Sequence, residues 1–186
     1  MVQLPTKRQF TVTEYRRIAD AGVFTPDDRV ELLEGEIIEM PPIGSRHAAC
    51  VDRLNRLFSR LAGGDVVVRI QNPLLLSDRS EPLPDVQLLS GSPERYVEEH
   101  PRPADVLLLV EVSDTSLQFD RVVKLPAYAA AGIQEVWIVD LAAAQVEVYR
   151  DPLPDGYQSR TLASGEDQLT PQALPSFTAS VRQIIG

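Results

Sequence analysis

Five consecutive strand-forming residues, Val106–Val110, run straight into a carboxylate, Glu111. The run is β-branched and leucine-rich with no polar alternation, which suits a central strand covered on both faces. A carboxylate at the end of such a run is costly unless it is paired or bound to a metal. A helix carrying Lys124 and ending near Gly132 comes next, followed by a second apolar strand at Glu135–Val139. Upstream, another short strand, Asp85–Leu89, opens directly after Pro84.

The remaining pattern builds a frame around these pieces. Thr11-Val-Thr-Glu14 has the spacing of a capping box and predicts a helix to Ala21, stopped by Gly22. Val30–Leu33 and Glu36–Met40 read as a hairpin around Glu34-Gly35. Ser45 is placed to cap a long helix with an apolar stripe at Val51, Leu54, Leu57, Phe58 and Leu61, ended by Gly63-Gly64. Val66–Gln71 predicts a strand that Leu74–Leu76 continues past Pro73; Asp78–Pro84 and Gly91–Pro103 read as loops, the second with a turn of helix. A hairpin of Gln145–Tyr149 and Tyr157–Leu162 and a short helix near Ala179–Ile185 complete the chain. The expectation is a mixed α/β (α+β) fold in a single domain spanning 1–186: a central sheet flanked by helices, with an N-terminal helix and β-hairpin.

Composition narrows the class. At 44% hydrophobic and 24% charged residues, the 186-residue chain has the balance of a globular protein. No window approaches a membrane span, and MVQLPTKRQF lacks the apolar core of a signal peptide. Cys50 is the only cysteine, so no internal disulfide forms, and a cytoplasmic location is the simplest reading. The net charge of −9 opposes phosphate binding. A nucleic-acid function therefore needs a locally basic groove, a metal that supplies positive charge, or a basic partner. Lys7, Arg8, Arg16 and Arg17, and Arg46, Arg53, Arg56 and Arg60 on one helix, are candidates for such a groove or for an ordinary solvated face.

Hydrolysing a phosphodiester requires negative charge to be neutralised and a water to be made nucleophilic. Mg²⁺ does both, using hard oxygens from one or two carboxylates. Asp85 opens one strand and Glu111 closes another, so on adjacent strands both reach one ion. A nearby lysine orients the attacking water or stabilises charge on phosphorus, and Lys124 is the best candidate. Asp120, Lys124 and Tyr128 fall four apart and share a helix face. Each also has an ordinary reading: Asp85 as a turn residue after proline, Lys124 as a solvated helix lysine, Tyr128 and Trp137 as core. No glycine loop for phosphates follows a strand, and nothing beyond the carboxylates points to a glycosidase or acid phosphatase.

With these residues in view, the chain resembles the Uma2 family of restriction-endonuclease-like proteins, within the PD-(D/E)XK nuclease superfamily. The resemblance rests on Glu31-Leu-Leu-Glu-Gly35-Glu, His47, Gln71-Asn-Pro through Pro84-Asp85, Glu111-Val-Ser, Asp120, Lys124, Tyr128, Gly132, Glu135-Val-Trp137 and Val139-Asp140, in that order. It implies a restriction-endonuclease-like central mixed sheet and a Mg²⁺-dependent endonuclease acting on DNA, with Mn²⁺ as a second usable ion. Asp85 and Glu111 become the metal-binding acidic pair, and Asp85, Glu111 and Lys124 the catalytic set. The superfamily pattern places lysine two positions after the second acidic residue, where this chain has Ser113. Lys124, from the following helix, is the implied substitute, and Pro126 requires that helix either to start near Leu125 or to kink. Glu31 is a further metal-shell carboxylate or an exposed strand-edge residue. His47 is a water- or phosphate-contacting group or a partly buried histidine; with Cys50 three residues on, it also forms a weak soft-metal pair against a core-thiol reading. A homodimer would let two sites cut two strands. The competing expectation, from Ser113 and the acidic surface, is a catalytically inactive nuclease-like domain used for binding or assembly.

Overall fold

In the computed structural model, which describes residues 6–25, 27–61 and 65–186, the capping box at Thr11 starts the first helix, α1 (Val12–Asp20). The Thr11 hydroxyl accepts from the Glu14 amide at 3.2 Å, and the Glu14 carboxylate accepts from the Thr11 amide at 3.0 Å. The expected hairpin follows as β1 (Val30–Leu33) and β2 (Glu36–Glu39). Its turn residues, Glu34 and Gly35, both take left-handed φ (49° and 79°), the geometry that matches strand twist in a two-residue hairpin.

Helix α2 (Ser45–Phe58) begins one residue earlier than expected. Gly44 is its N-cap, extended and without a side-chain hydrogen bond, so Ser45 lies inside the first turn and caps nothing. Its buried face is Cys50, Val51, Leu54 and Phe58, while the expected stop at Gly63-Gly64 lies outside the described residues. Strand β3 (Val66–Ile70) ends where Gln71 turns left-handed at φ 51°. Leu74–Leu76 therefore does not extend it. Pro73 cannot donate to a ladder, and Leu74 and Leu76 instead donate their amides to Pro82 and Ser80 carbonyls.

Strands β4 (Val86–Ser90) and β5 (Val106–Ser113) follow, separated by short 3₁₀ turns at Pro93–Tyr96 and Pro103–Asp105. A helical passage, α3 (Leu117–Phe119), a π turn (Asp120–Lys124) and α4 (Leu125–Ala130), crosses to β6 (Glu135–Asp140). The late hairpin, β7 (Gln145–Leu153) and β8 (Gly156–Ser164), is longer than expected, because pairing continues past Pro152 opposite Tyr157. A ribbon of β9 (Gln168–Leu169) and β10 (Ala179–Ser180), too short to leave a sequence pattern, leads into α5 (Val181–Ile185).

The main sheet has the order β3-β4-β5-β6-β7-β8, with only β5 and β6 parallel. β5 is thus an inner strand, and Leu108, Leu109 and Val110 are fully buried. One face packs Cys50, Leu54 and Phe58 of α2 against Leu88, Val110, Trp137 and Val139. The other packs Leu125, Tyr128 and Ile133 against Leu89, Leu109 and Ile138. Covering on both faces explains the unbroken apolar run from which β5 was recognised. The expected mixed sheet flanked by helices is the fold found. Among the described residues no helix is long and apolar enough to cross a membrane.

Several of the arginines considered for a basic groove are internal ties instead. Arg46 bonds Asp114 (3.1 Å) and the Leu141 carbonyl (2.6 Å), and Arg53 bonds the Ile184 and Ile185 carbonyls at the end of α5. Arg16 pairs with the buried carboxylate of Glu81.

Candidate active site

Strand register delivers the acidic pair. Val86 lies opposite Val110 in the β4–β5 ladder, so Asp85, one residue before β4, meets Glu111. The Asp85 amide donates to Glu111 Oε2 at 3.4 Å. Asp85 Oδ2 accepts from the Val112 amide at 2.8 Å and contacts His47 Nε2 at 3.0 Å, and Oδ1 accepts from Gln71 Nε2 at 3.0 Å. Burial alone would raise the Asp85 pKa, but the His47, Gln71 and Val112 contacts outweigh it and hold the carboxyl below its ordinary value.

Glu111 is 2% exposed. Its Oε1 accepts from Lys124 Nζ at 3.2 Å and from the Tyr128 hydroxyl. Lys124 Nζ also lies 3.3 Å from Glu31 Oε2, which accepts from the Leu83 amide at 3.0 Å. Glu31 faces inward, fully buried, and its Oε1 has no hydrogen-bond partner. The strand-edge reading of Glu31 is therefore wrong. Its side chain is buried against the Leu83 amide and Lys124. Asp120 Oδ2 accepts from Ser113 and Ser116 hydroxyls, each at 2.7 Å.

The π turn resolves the problem posed by Pro126. Proline has no N–H, and in an α-helix its ring meets the carbonyl four residues back. Here the Leu125 amide reaches back five residues to the Asp120 carbonyl. The widened turn leads into α4 at Leu125 without a break, and both Asp120 and Lys124 stay on the buried side. Such turns recur at functional sites.

Asp85, Glu111, Lys124, Glu31, His47 and Asp120 all line one cavity of about 210 Å³. The structure brings together every site residue expected from the sequence. Four buried carboxylates, Glu31, Asp85, Glu111 and Asp120, share the cavity with the buried Lys124, and Asp28, Arg29 and His47 also line it. Burial, together with Asp85 and Asp120, pushes Glu111 up to about 8 even though Lys124 pulls it down. Burial also raises Asp120, whereas the surrounding carboxylates hold Lys124 charged, raising its pKa against the cost of burial.

The donor set suits a hard divalent cation. The donors available are carboxylate oxygens, and Glu31 Oε1 is a buried acceptor without a donor. Among the described residues no three His, Cys, Asp or Glu side chains form a ready-made cage. Mg²⁺ commonly takes one or two carboxylates and keeps several waters, so the acidic pair is the relevant unit. His47 and Cys50 are not a soft-metal pair, because they diverge. His47 contacts Asp85, while the buried Cys50 thiol donates to the Ile184 carbonyl at 3.5 Å.

Three participants have different places from those expected. Tyr128, read as core, is fully buried yet its hydroxyl bonds Glu111. Ser113, read only as a missing lysine, anchors Asp120. Gln71, quoted in the resemblance without a role, bonds Asp85. Its signal was positional: one residue past β3, as Asp85 is one residue before β4, with Ile70 opposite Val86.

Two comparisons bear on this geometry. The family model named Uma2, described as "Putative restriction endonuclease", matches residues 12–182. A crystal structure described as a putative nuclease belonging to DUF820, from Anabaena variabilis ATCC 29413, superimposes with a TM-score of 0.68 at 18% identity. The match covers 95% of this chain and 97% of that one, and at this identity it shows a shared fold. No curated protein matches the chain.

Proposed function

The chain belongs to the Uma2 family, and from that premise we propose that it is a metal-dependent nuclease that hydrolyses phosphodiester bonds of DNA. The observation that carries this reading is the buried pair Asp85 and Glu111, sharing one cavity with Lys124. Asp85 and Glu111 would hold Mg²⁺, or Mn²⁺, which supplies charge neutralisation at the phosphate and a more acidic bound water.

The protein's own groups have distinct parts. Asp85 stays ionised under the donors around it and offers a fixed carboxylate. Tyr128 and Lys124 both point at Glu111 Oε1, which leaves Oε2 the less encumbered oxygen. Lys124 Nζ, held between Glu31 and Glu111, would orient the attacking water and offset developing charge on phosphorus. His47 steadies Asp85 from the cavity rim.

A second reading, an inactive nuclease-like module, is favoured by one observation: Lys124 is bridged to both Glu31 and Glu111 and is only 3% exposed. Metal titration separates the two. With free Mg²⁺ or Mn²⁺ at ten times Kd, the first reading expects about 1.4 kcal/mol of added stability by mass action. Glu111→Gln should lose that gain. No thermal shift of the wild type at millimolar metal favours the module.

A further inference from the structure

Gln71 is one of four non-glycine residues that the described chain holds at positive φ, and the only one of them that lines the acidic cavity. The other three are Glu34, Ala144 and Asp151, the first in the β1–β2 turn. A glutamine in the left-handed region is disfavoured, and such a conformation persists where its surroundings over-determine it.

The surroundings here are two bonds to one residue. The Gln71 amide donates to the Asp85 carbonyl at 3.1 Å, and Gln71 Nε2 donates to Asp85 Oδ1 at 3.0 Å. The first bond extends the β3–β4 ladder by one step. The second joins side chains that the ladder sets opposite each other, at the step where the chain leaves the strand in a left-handed turn. The next residues confirm the local constraint: Gln87, fully buried, donates Nε2 to the Asn72 carbonyl at 2.6 Å and fixes the peptide that follows.

We infer that Gln71 is a positioning residue for Asp85, whose left-handed backbone aims its amide so that the carboxylate is clamped between Gln71, His47 and the Val112 amide in the orientation that receives a divalent cation. This rests on the reading of Asp85 as a metal ligand. Groups that orient a ligand in this way carry about tenfold to a hundredfold of metal affinity.

Two substitutions separate aiming from backbone shape. Gln71→Ala and Gln71→Gly both remove the amide, but only glycine relieves the left-handed backbone. Urea unfolding without metal should therefore rank the glycine variant above the alanine variant. Mn²⁺ affinity, read by calorimetric titration, should fall by about tenfold or more in both, and to a similar extent. Affinity that follows stability, with the glycine variant binding like the wild type, would reduce Gln71 to a strand-ending turn and overturn the inference. If the wild type and both variants bind Mn²⁺ alike, Gln71 does not aim Asp85, and the inference falls while the metal-site reading stands. A wild type that binds no Mn²⁺ sinks the metal-site reading and this inference together, so the two failures are distinguishable.

Discussion

Glu111 shows how one residue can be both the clearest sequence signal and the most constrained group in the fold. A carboxylate after five apolar residues had to be partnered, and its partners are Lys124, Tyr128 and the Asp85 amide. Those partners were legible to unequal degrees. Lys124 and Tyr128 share a four-residue spacing with Asp120, which a helix reading exposes. Gln71 carries no such spacing, because its contact depends on strand register across a loop. Cys50 offers a test of burial at this scale. Its thiol is fully buried, and burial pushes its pKa up to about 11. An unfolded thiol titrates near about 8.5. The folded state therefore holds the proton longer, and the stability from Cys50 is complete below about pH 8.5 and lost as pH rises toward 11. Wild type and Cys50→Ala, compared by urea unfolding, should differ by about 1.5–2 kcal/mol less at pH 10 than at pH 7. An unchanged difference would show that the thiol is accessible to ionisation in the folded protein.

At the scale of elements, the strands and helices were read where periodicity is long and missed where a single bond decides. β5, β6, α1 and the β1–β2 hairpin follow from apolar runs and turn residues. The β9–β10 ribbon has two-residue strands, and no pattern survives at that length. Pro126 announced a disruption but not its form. A wide turn of five residues is set by where the Leu125 amide finds an acceptor, which depends on how α3 and α4 pack on the sheet. The β1–β2 hairpin matters to the site because it carries Glu31 under Lys124. Its turn is held at Gly35, whose amide donates to the Arg79 carbonyl and whose carbonyl accepts from the Phe10 amide, each at 2.8 Å. A Cβ there would lie 2.6 Å from Gln9 Cβ, on a backbone already at φ 79°. Gly35→Ala should therefore cost about 2–3 kcal/mol in urea unfolding. A loss under about 0.5 kcal/mol, the usual range of a neutral surface change, would mean that the N-terminal segment yields freely.

For the molecule as a whole, the site is a product of topology. Glu31, His47, Asp85, Glu111 and Lys124 come from a hairpin, a helix, two strand ends and a crossover, and the pairing of β4 with β5 sets Asp85 beside Glu111 at their centre. The sequence order alone placed the pair and the lysine in one sheet-and-helix unit. The depth of the cavity and the convergence of a fourth carboxylate, Asp120, required the fold. The net charge of −9 acquires a physical sense in this setting. Many of the arginines are tied to carbonyls and carboxylates, so under the proposed function attraction for a phosphate backbone would draw on a cation in the acidic cavity. The most direct measurement is cleavage of supercoiled plasmid DNA in Mg²⁺ or Mn²⁺ by the wild type and by Asp85→Asn and Glu111→Gln. Wild-type protein should nick the plasmid only with divalent metal, and each variant should lose at least about a hundredfold in rate. Equal cleavage by the variants, or cleavage by the wild type in excess chelator, would contradict the assignment of Asp85 and Glu111 as the metal-binding pair.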